Sequence, residues 1–282
     1  MTENGKTIQA GVIGWPVSHS LSPRLHGFWL KELGIDGTYS ALAVAPDGLE
    51  SSLRSLPERG FAGVNLTLPH KEAAASIVDT MDSVASRIGA VNTVVVGADG
   101  SLAGSNTDGY GFIENLKSCA PEWTADNKSA VILGAGGAAR AIIAALLDDG
   151  LKELRLVNRT LSRAESLKDD IGGAIIVVPW ADRMKSLEGA GLLVNTTTLG
   201  MTDEEPLEID LSPLPAKAVV TDIVYAPLTT PLLKDAAGRG NLTVDGLGML
   251  LHQARPGFDQ WFGAEPVVTD ALRAHVLEGL ER

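Results

Sequence analysis

KSAVILGAGGAARAIIAALLDDG, residues 128–150, runs from a short apolar stretch through three glycines into a long alanine-rich one. The apolar start reads as a buried strand. In the second half Ile142, Ile143, Leu146 and Leu147 fall on one stripe at helical spacing, and Gly150 stands where a helix ends best on a residue free of Cβ. Between them lies Gly134-x-Gly136-x-x-Ala139. Such a turn lets backbone approach a pyrophosphate, while the helix start offers unpaired N–H groups and a favourable dipole. The glycine pattern is weak by itself, because many tight turns use glycines. A strand before it, a helix after it and a second strand and helix in KELRLVNRTLSRAESLKDDIG (152–172) supply the βαβ context that gives it meaning.

The end of that second strand separates cofactors. An NAD site places a carboxylate there for the ribose 2′-hydroxyl. Here the residues are Asn158, Arg159 and Thr160, with Arg163 one turn on. A guanidinium forms bidentate, charge-assisted bonds to a phosphate, which a carboxylate would repel, so NADP is favoured over NAD. The bland alternative is a pair of solvated arginines behind an N-cap Thr160. Cations at a helix start run against the dipole, and a ligand phosphate accounts for them better.

Outward from this unit, strands are expected at 174–178, 191–197 and 218–224, and helices from Met249 and over 271–282. Before it, the first hundred residues alternate strand and helix: strands at 8–14, 38–44, 60–68 and 90–96, and helices over 23–33, near 47–58, from Pro69, and over 105–118. Alternation of this kind gives a mostly parallel sheet covered by helices. The fold class expected is therefore α/β with two domains: residues 1–107 with 246–282 forming one, and 108–245 a Rossmann-like NADP-binding one.

The chain has 282 residues, is 45% hydrophobic and 21% charged, and carries a formal net charge of −12. That is a globular composition, and it disfavours a nucleic-acid backbone or an anionic membrane surface as partner. Cys119 is the only cysteine, which excludes an intramolecular disulfide and a thiolate-rich metal site. MTENGKTIQAG at the start lacks the pattern of a secretory signal, and no apolar run approaches the ~20 residues of a membrane helix. A cytoplasmic protein is expected, with the oligomeric state left open and a homodimer among the possibilities.

Four polar stretches interrupt the apolar elements of the first half: SHSLSPRLH (18–26), NLTLPHK (65–71), AVNT (90–93) and SNTDGYG (105–111). Each follows or flanks a strand, and open parallel sheets bind ligands beyond the carboxyl ends of their strands. They bring together the hydroxyls of Ser20, Ser22 and Thr67, the carboxamides of Asn65 and Asn92, the Lys71 ammonium and the Asp108 carboxylate. This inventory suits a small, polyhydroxylated, anionic molecule. Lys71 stands in the first turn of a helix opened by Pro69, where the dipole disfavours a cation. Each group has a plainer reading. Ser22 before Pro23 could be an N-cap, as could Asn106 or Thr107. His19, His26 and His70 are expected to be loop or core histidines, not a metal trio, so no metal is expected.

The chain resembles the shikimate dehydrogenase family in HSLSP (19–23), NLTLPHKE (65–72), GAVNT (89–93), NTDGYG (106–111), GAGGAAR (134–140), NRT (158–160), VNTTTLGM (194–201), DIVYAPLTT (222–230) and VDGLGMLLHQ (244–253). The resemblance implies NADPH-dependent, reversible reduction of 3-dehydroshikimate to shikimate on the route to chorismate and the aromatic amino acids. It implies a cleft between the two domains, the first completed by the C-terminal helices. Position by position, it gives Lys71 and Asp108 as the catalytic pair, with Ser20 and Ser22 on the substrate carboxylate. Asn65, Thr67, Asn92 and Gln253, helped by Tyr225, would take the ring hydroxyls. Gly134, Gly136, Gly137 and Ala138 would line the pyrophosphate, and Asn158, Arg159, Thr160 and Arg163 the adenosine phosphate. Thr196, Gly246 and Met249 would lie near the nicotinamide. Asn195-Thr196-Thr197-Thr198 departs from the usual Asn-Ala-Thr-Ser/Pro, which concerns only the contacts of Thr196 and Thr198. The alternatives left standing are a quinate/shikimate enzyme with relaxed substrate or cofactor use, and a non-catalytic ligand sensor of the same fold.

Overall fold

The computed structural model describes residues 7–126 and 128–280. Met1–Lys6, on which part of the signal-sequence reading rests, lie outside these residues, as do the last two positions of the terminal helical stretch. The chain divides into two compact units: the residues up to Thr107 with those from Gln253 onward, and Asp108–His252. The second junction falls inside a helix and not at Gly246, because the helix that begins there runs on without a break.

The first unit contains β1 (Ile8–Gly14), α1 (Ser22–Glu32), β2 (Gly37–Ala43), α2 (Leu49–Arg54), β3 (Phe61–Leu66), α3 (Lys71–Ala74), β4 (Thr80–Met81), α4 (Ser83–Ile88), β5 (Thr93–Val96) and β6 (Leu102–Ser105). They form one six-stranded sheet in the order β2-β1-β3-β5-β6-β4. The β1/β2, β1/β3 and β4/β6 ladders are parallel; β3/β5 and β5/β6 are antiparallel. Side chains alternate across a strand, so β3 sends Val64 and Leu66 to one face, into a core with Ile13, Leu53 and Leu56. Asn65 therefore points to the other face. There the aromatic rings of Trp29, Tyr39, Phe258 and Trp261 gather around His26. Gly63 is required at its position: a Cβ would stand 2.1 Å from both Trp261 Nε1 and Val94 O. That close approach lets the indole donate to Val94 O at 3.1 Å.

The second unit holds α5 (Asp108–Cys119), β7 (Ser129–Leu133), α6 (Gly137–Asp148), β8 (Glu153–Asn158), α7 (Leu161–Ile171), β9 (Ile175–Pro179), β10 (Leu192–Asn195), β11 (Val219–Asp222), α8 (Pro231–Gly238) and β12 (Leu242–Val244). Next comes α9 (Gly246–Phe262), which continues into the first unit, where α10 (Asp270–Leu277) closes the chain. The sheet order is β12-β11-β10-β7-β8-β9, with every ladder parallel. A sheet covered on both faces explains the continuous apolar strands. In β7, Ala130 and Ile132 join one core with Ile142, Ile143 and Leu146 of α6, while Val131 and Leu133 join the opposite one. Burying each such side chain contributes about 1.5–3 kcal/mol.

Several expectations are revised. Pro69 does not open a helix: the Leu68–Pro69 peptide is cis, His70 N–H closes a turn on Thr67 O, and α3 starts at Lys71. The strand expected over 90–96 is only Thr93–Val96, because the amides of Val91 and Asn92 are taken by Lys71 O and Ser105 O. The helix expected from 105 begins at Asp108, since Ser105 still belongs to β6. The short elements α4, β4, β6, α8 and β12 carry too little periodicity to read from sequence. Gly150 takes its left-handed φ of 99° one residue beyond the C-cap Asp149.

Candidate active site

In the first unit, the polar stretches lie at the ends of neighbouring strands, and those around Asn65, Asn92 and Thr107 are joined by hydrogen bonds. Asn65, near the end of β3, is 5% exposed. Its Nδ2 donates to Asn92 O at 3.2 Å and Thr93 Oγ1 at 3.1 Å, and its Oδ1 accepts from the Tyr39 hydroxyl at 2.7 Å. Asn92 Oδ1 accepts from Thr107 N at 2.9 Å, and its Nδ2 donates to Thr107 Oγ1 at 3.0 Å and Gln253 Oε1 at 3.3 Å. Gln253 is thus brought from the far end of the sequence onto the same shelf. Thr67 is half-buried just beyond β3, with its N–H on Ile13 O.

Ser22 is the first residue of α1 and not its N-cap, which is Leu21. Its N–H donates to Ser20 Oγ at 3.3 Å, which holds the Ser20 hydroxyl beside the start of α1. Asn106 turns its Nδ2 to Ala90 O, at 3.0 Å. Lys71 is half-buried at the start of α3, a helix of four residues with little dipole to oppose it. His70 Nε2 lies 2.8 Å from Val44 O. His26 is fully buried, and burial pushes its pKa down to about 3, so its ring is neutral. No metal-binding cluster occurs among the described residues.

In the second unit, Asp108 opens α5 and is 4% exposed, at the helix end that favours a carboxylate. Gly134 has φ 105°, and a Cβ there would stand 2.8 Å from Thr196 Oγ1. Gly136 differs. It caps the twelve-residue α6 with an ordinary φ of −97°, and a Cβ would meet no protein atom within 4 Å. The protein's own packing does not require this glycine. Open space at a helix start that carries no acidic residue in its first turn fits a dinucleotide pyrophosphate. Gly137 and Ala138 form that first turn and are half-buried.

Asn158 ends β8 and donates to Thr160 O at 2.8 Å. Thr160 holds the N-cap position of α7 without a side-chain cap bond. Arg159 and Arg163 are exposed, and Arg159 lines a groove of ≈ 360 Å³ with Trp180, Arg183 and Leu199. Two cations here and open backbone at Gly136 are the donor set a 2′-phosphorylated dinucleotide needs. Thr196 donates to Leu133 O at 2.6 Å. Met249 is 8% exposed and packs in the core, and Gly246 is required because a Cβ would lie 2.2 Å from Ile223 O. Tyr225 is half-buried, and burial raises its pKa.

Family models match both units. One, the shikimate dehydrogenase substrate binding domain, covers residues 12–94; the other, shikimate / quinate 5-dehydrogenase, covers 117–205. The shikimate dehydrogenase (NADP(+)) of Paramagnetospirillum magneticum is 60% identical over 97% of this chain and 99% of its own. The chain belongs to the shikimate dehydrogenase family. Among solved members, the shikimate 5-dehydrogenase from Thermus thermophilus, in complex with NADP(H) and shikimate, has a TM-score of 0.85 and 38% identity, covering 97% of this chain and 98% of that one. The quinate dehydrogenase from Corynebacterium glutamicum, in complex with NAD, has a TM-score of 0.88 and 32% identity, covering 96% and 99%.

Within this shikimate dehydrogenase fold, sequence reasoning missed three groups that hold the candidates in place. Tyr39 and Thr93 bind Asn65. Asp222 ties the ends of β10 and β11: it accepts from Asn195 Nδ2 at 3.0 Å, Val224 N at 3.0 Å and the Thr230 hydroxyl at 2.8 Å. Burial outweighs these three donors and pushes its pKa up to about 6. A lone Tyr in TYSALAV and an Asp at the end of VVTD carry no local signal of their roles. Asn65, the partner of Tyr39, and Asn195, one partner of Asp222, arrive from other strands.

Proposed function

We propose that this chain is an NADP-dependent shikimate dehydrogenase, reversibly reducing 3-dehydroshikimate to shikimate in chorismate and aromatic amino acid biosynthesis. The observation that carries this is full-length likeness to NADP-named relatives, joined to a cofactor unit whose second strand ends in Asn158-Arg159-Thr160 with no carboxylate. The first unit binds the acid: Ser20 and Ser22 take the carboxylate, and Asn65, Thr67, Asn92 and Gln253, helped by Tyr225 of the second unit, the ring hydroxyls. Gly134, Gly136, Gly137 and Ala138 receive the pyrophosphate. Asn158, Arg159, Thr160 and Arg163 receive the adenosine phosphate, with Thr196, Gly246 and Met249 near the nicotinamide.

When bound, NADP supplies or accepts the hydride. Lys71 deals with the charge this creates: in reduction its ammonium hydrogen-bonds the ketone oxygen and protonates it, and in oxidation the neutral amine takes the hydroxyl proton. Asp108 orients the lysine side chain. Cytoplasmic location belongs to the same reading, and sedimentation of the purified chain distinguishes a monomer from a homodimer. The decisive assay crosses shikimate and quinate with NADP and NAD. We expect the shikimate–NADP pair to have the highest kcat/KM. A preference for quinate with NAD would favour the reading suggested by the Corynebacterium neighbour, and binding without turnover would favour a sensor.

A further inference from the structure

The polar shelf of the first unit has a direction, set by a group with no choice. The backbone N–H of Thr107 can only donate, and it donates to Asn92 Oδ1 at 2.9 Å. Thr93 Oγ1 gives its single proton to the same Oδ1, also at 2.9 Å. It therefore accepts from Asn65 Nδ2 at 3.1 Å, while the second Nδ2 proton goes to Asn92 O at 3.2 Å. Asn65 must then turn Oδ1 towards Tyr39, and the phenol must donate to it. A phenol has one proton, and Tyr39 commits it to Asn65.

We infer that Tyr39 is a positioning residue for the acid-binding site, fixing the orientation of Asn65. This rests on the reading that the shelf binds shikimate. Asn65 spends both amide protons and one carbonyl lone pair on protein partners, so towards a ring hydroxyl it offers the second lone pair of Oδ1, as an acceptor.

The fold places Tyr39 for this. Tyr39 pairs with Ala10 of the intervening strand β1, and Asn65 with Val12, so both side chains lie on one face and the phenol spans the roughly 10 Å between β2 and β3. Its ring lies flat on His26, centroids 3.8 Å apart and planes 2° from parallel. Both His26 nitrogens lack a hydrogen-bond partner, so the histidine acts as an apolar plate that sets the ring and leaves the hydroxyl as its polar link.

Tyr39→Phe retains the ring and removes the hydroxyl. A neutral hydrogen bond is worth about 1.4 kcal/mol at most, so we expect kcat/KM for shikimate to fall about tenfold, with KM for NADP within twofold of the wild-type value. In an Asn65→Ala background the same change should cost less than twofold, because Tyr39 would have lost the group through which it acts. A tenfold loss in both backgrounds, or a lowered Tm with unchanged kcat/KM, would overturn the inference. Should Asn65→Ala not fold, the split between the shikimate and NADP parameters of Tyr39→Phe decides alone. A wild-type enzyme that does not turn over shikimate would overturn the site reading and this inference together; an active wild type with an unaffected Tyr39→Phe would overturn only the inference.

Discussion

The two units equip their candidate sites in opposite ways. In the first, the polar groups are already paired with one another: Asn65, Asn92, Thr93 and Thr107 exchange hydrogen bonds between 2.9 and 3.2 Å. In the second, the candidates are exposed arginines and a glycine beside open space. A ring with several hydroxyls needs donors and acceptors at fixed angles, which only a satisfied network supplies. A pyrophosphate needs unobstructed backbone N–H groups and positive charge, which space and a helix end supply. Recognition by side chains demands prior order; recognition by backbone demands prior emptiness.

The contrast can be broken, starting with the largest effect. Lys71→Ala should lower kcat about 10³–10⁴-fold with modest change in KM for shikimate, as for a group whose bond strengthens in the transition state. Near-normal turnover in steady-state assays would remove it from the chemistry. Two glycine substitutions then separate packing from ligand space. Gly63→Ala drives a Cβ into the Trp261 indole and Val94 O, so we expect about 3 kcal/mol or more of lost stability in urea unfolding. Gly136→Ala, by comparison, should leave Tm almost unchanged and raise KM for NADPH. A large Tm drop there would show the glycine to be structural.

Smaller effects sharpen the picture. Arg159→Ala should raise KM for NADPH about 10–100-fold, the worth of a charge-assisted bond, and leave KM for NADH nearly unchanged. Equal effects on both would refute the 2′-phosphate assignment. Asp222 should be visible in stability against pH. Its folded pKa, about 6, lies above its ordinary value, so the protonated carboxyl favours the folded state. That stability is fully present below the unfolded pKa and is lost as pH rises through about 6, a swing of order 2–3 kcal/mol. Asp222→Asn, with Nδ2 placed to donate to Thr230 Oγ1, should flatten this part of the profile. An unaltered profile would assign it to another group.

Much of this was readable from residue order. The glycine turn, the apolar strands around it and the arginines after β8 are local patterns, and the structure forms the strand, turn and helix where they stand. Lys71, Asn65 and Asn92 could be singled out because polar residues that interrupt apolar strands are costly unless used. The register at Pro69 was not readable, since a proline compatible with opening a helix also fits a turn before one. Nor were β4, β6 and β12, which exist because neighbouring strands offer edges to pair with.

By itself the sequence determined the α/β class, the strand, glycine turn and helix of the second unit, and the membership of the family, because each is carried by short runs of neighbouring residues repeated along the chain. Tertiary structure alone decided that Tyr39 reaches Asn65 across β1, that Gln253 joins Asn92, and that Asp222 binds both Asn195 and Thr230. The physical reason is that hydrogen bonds bind atoms close in space, and only strand pairing and helix packing make distant positions neighbours.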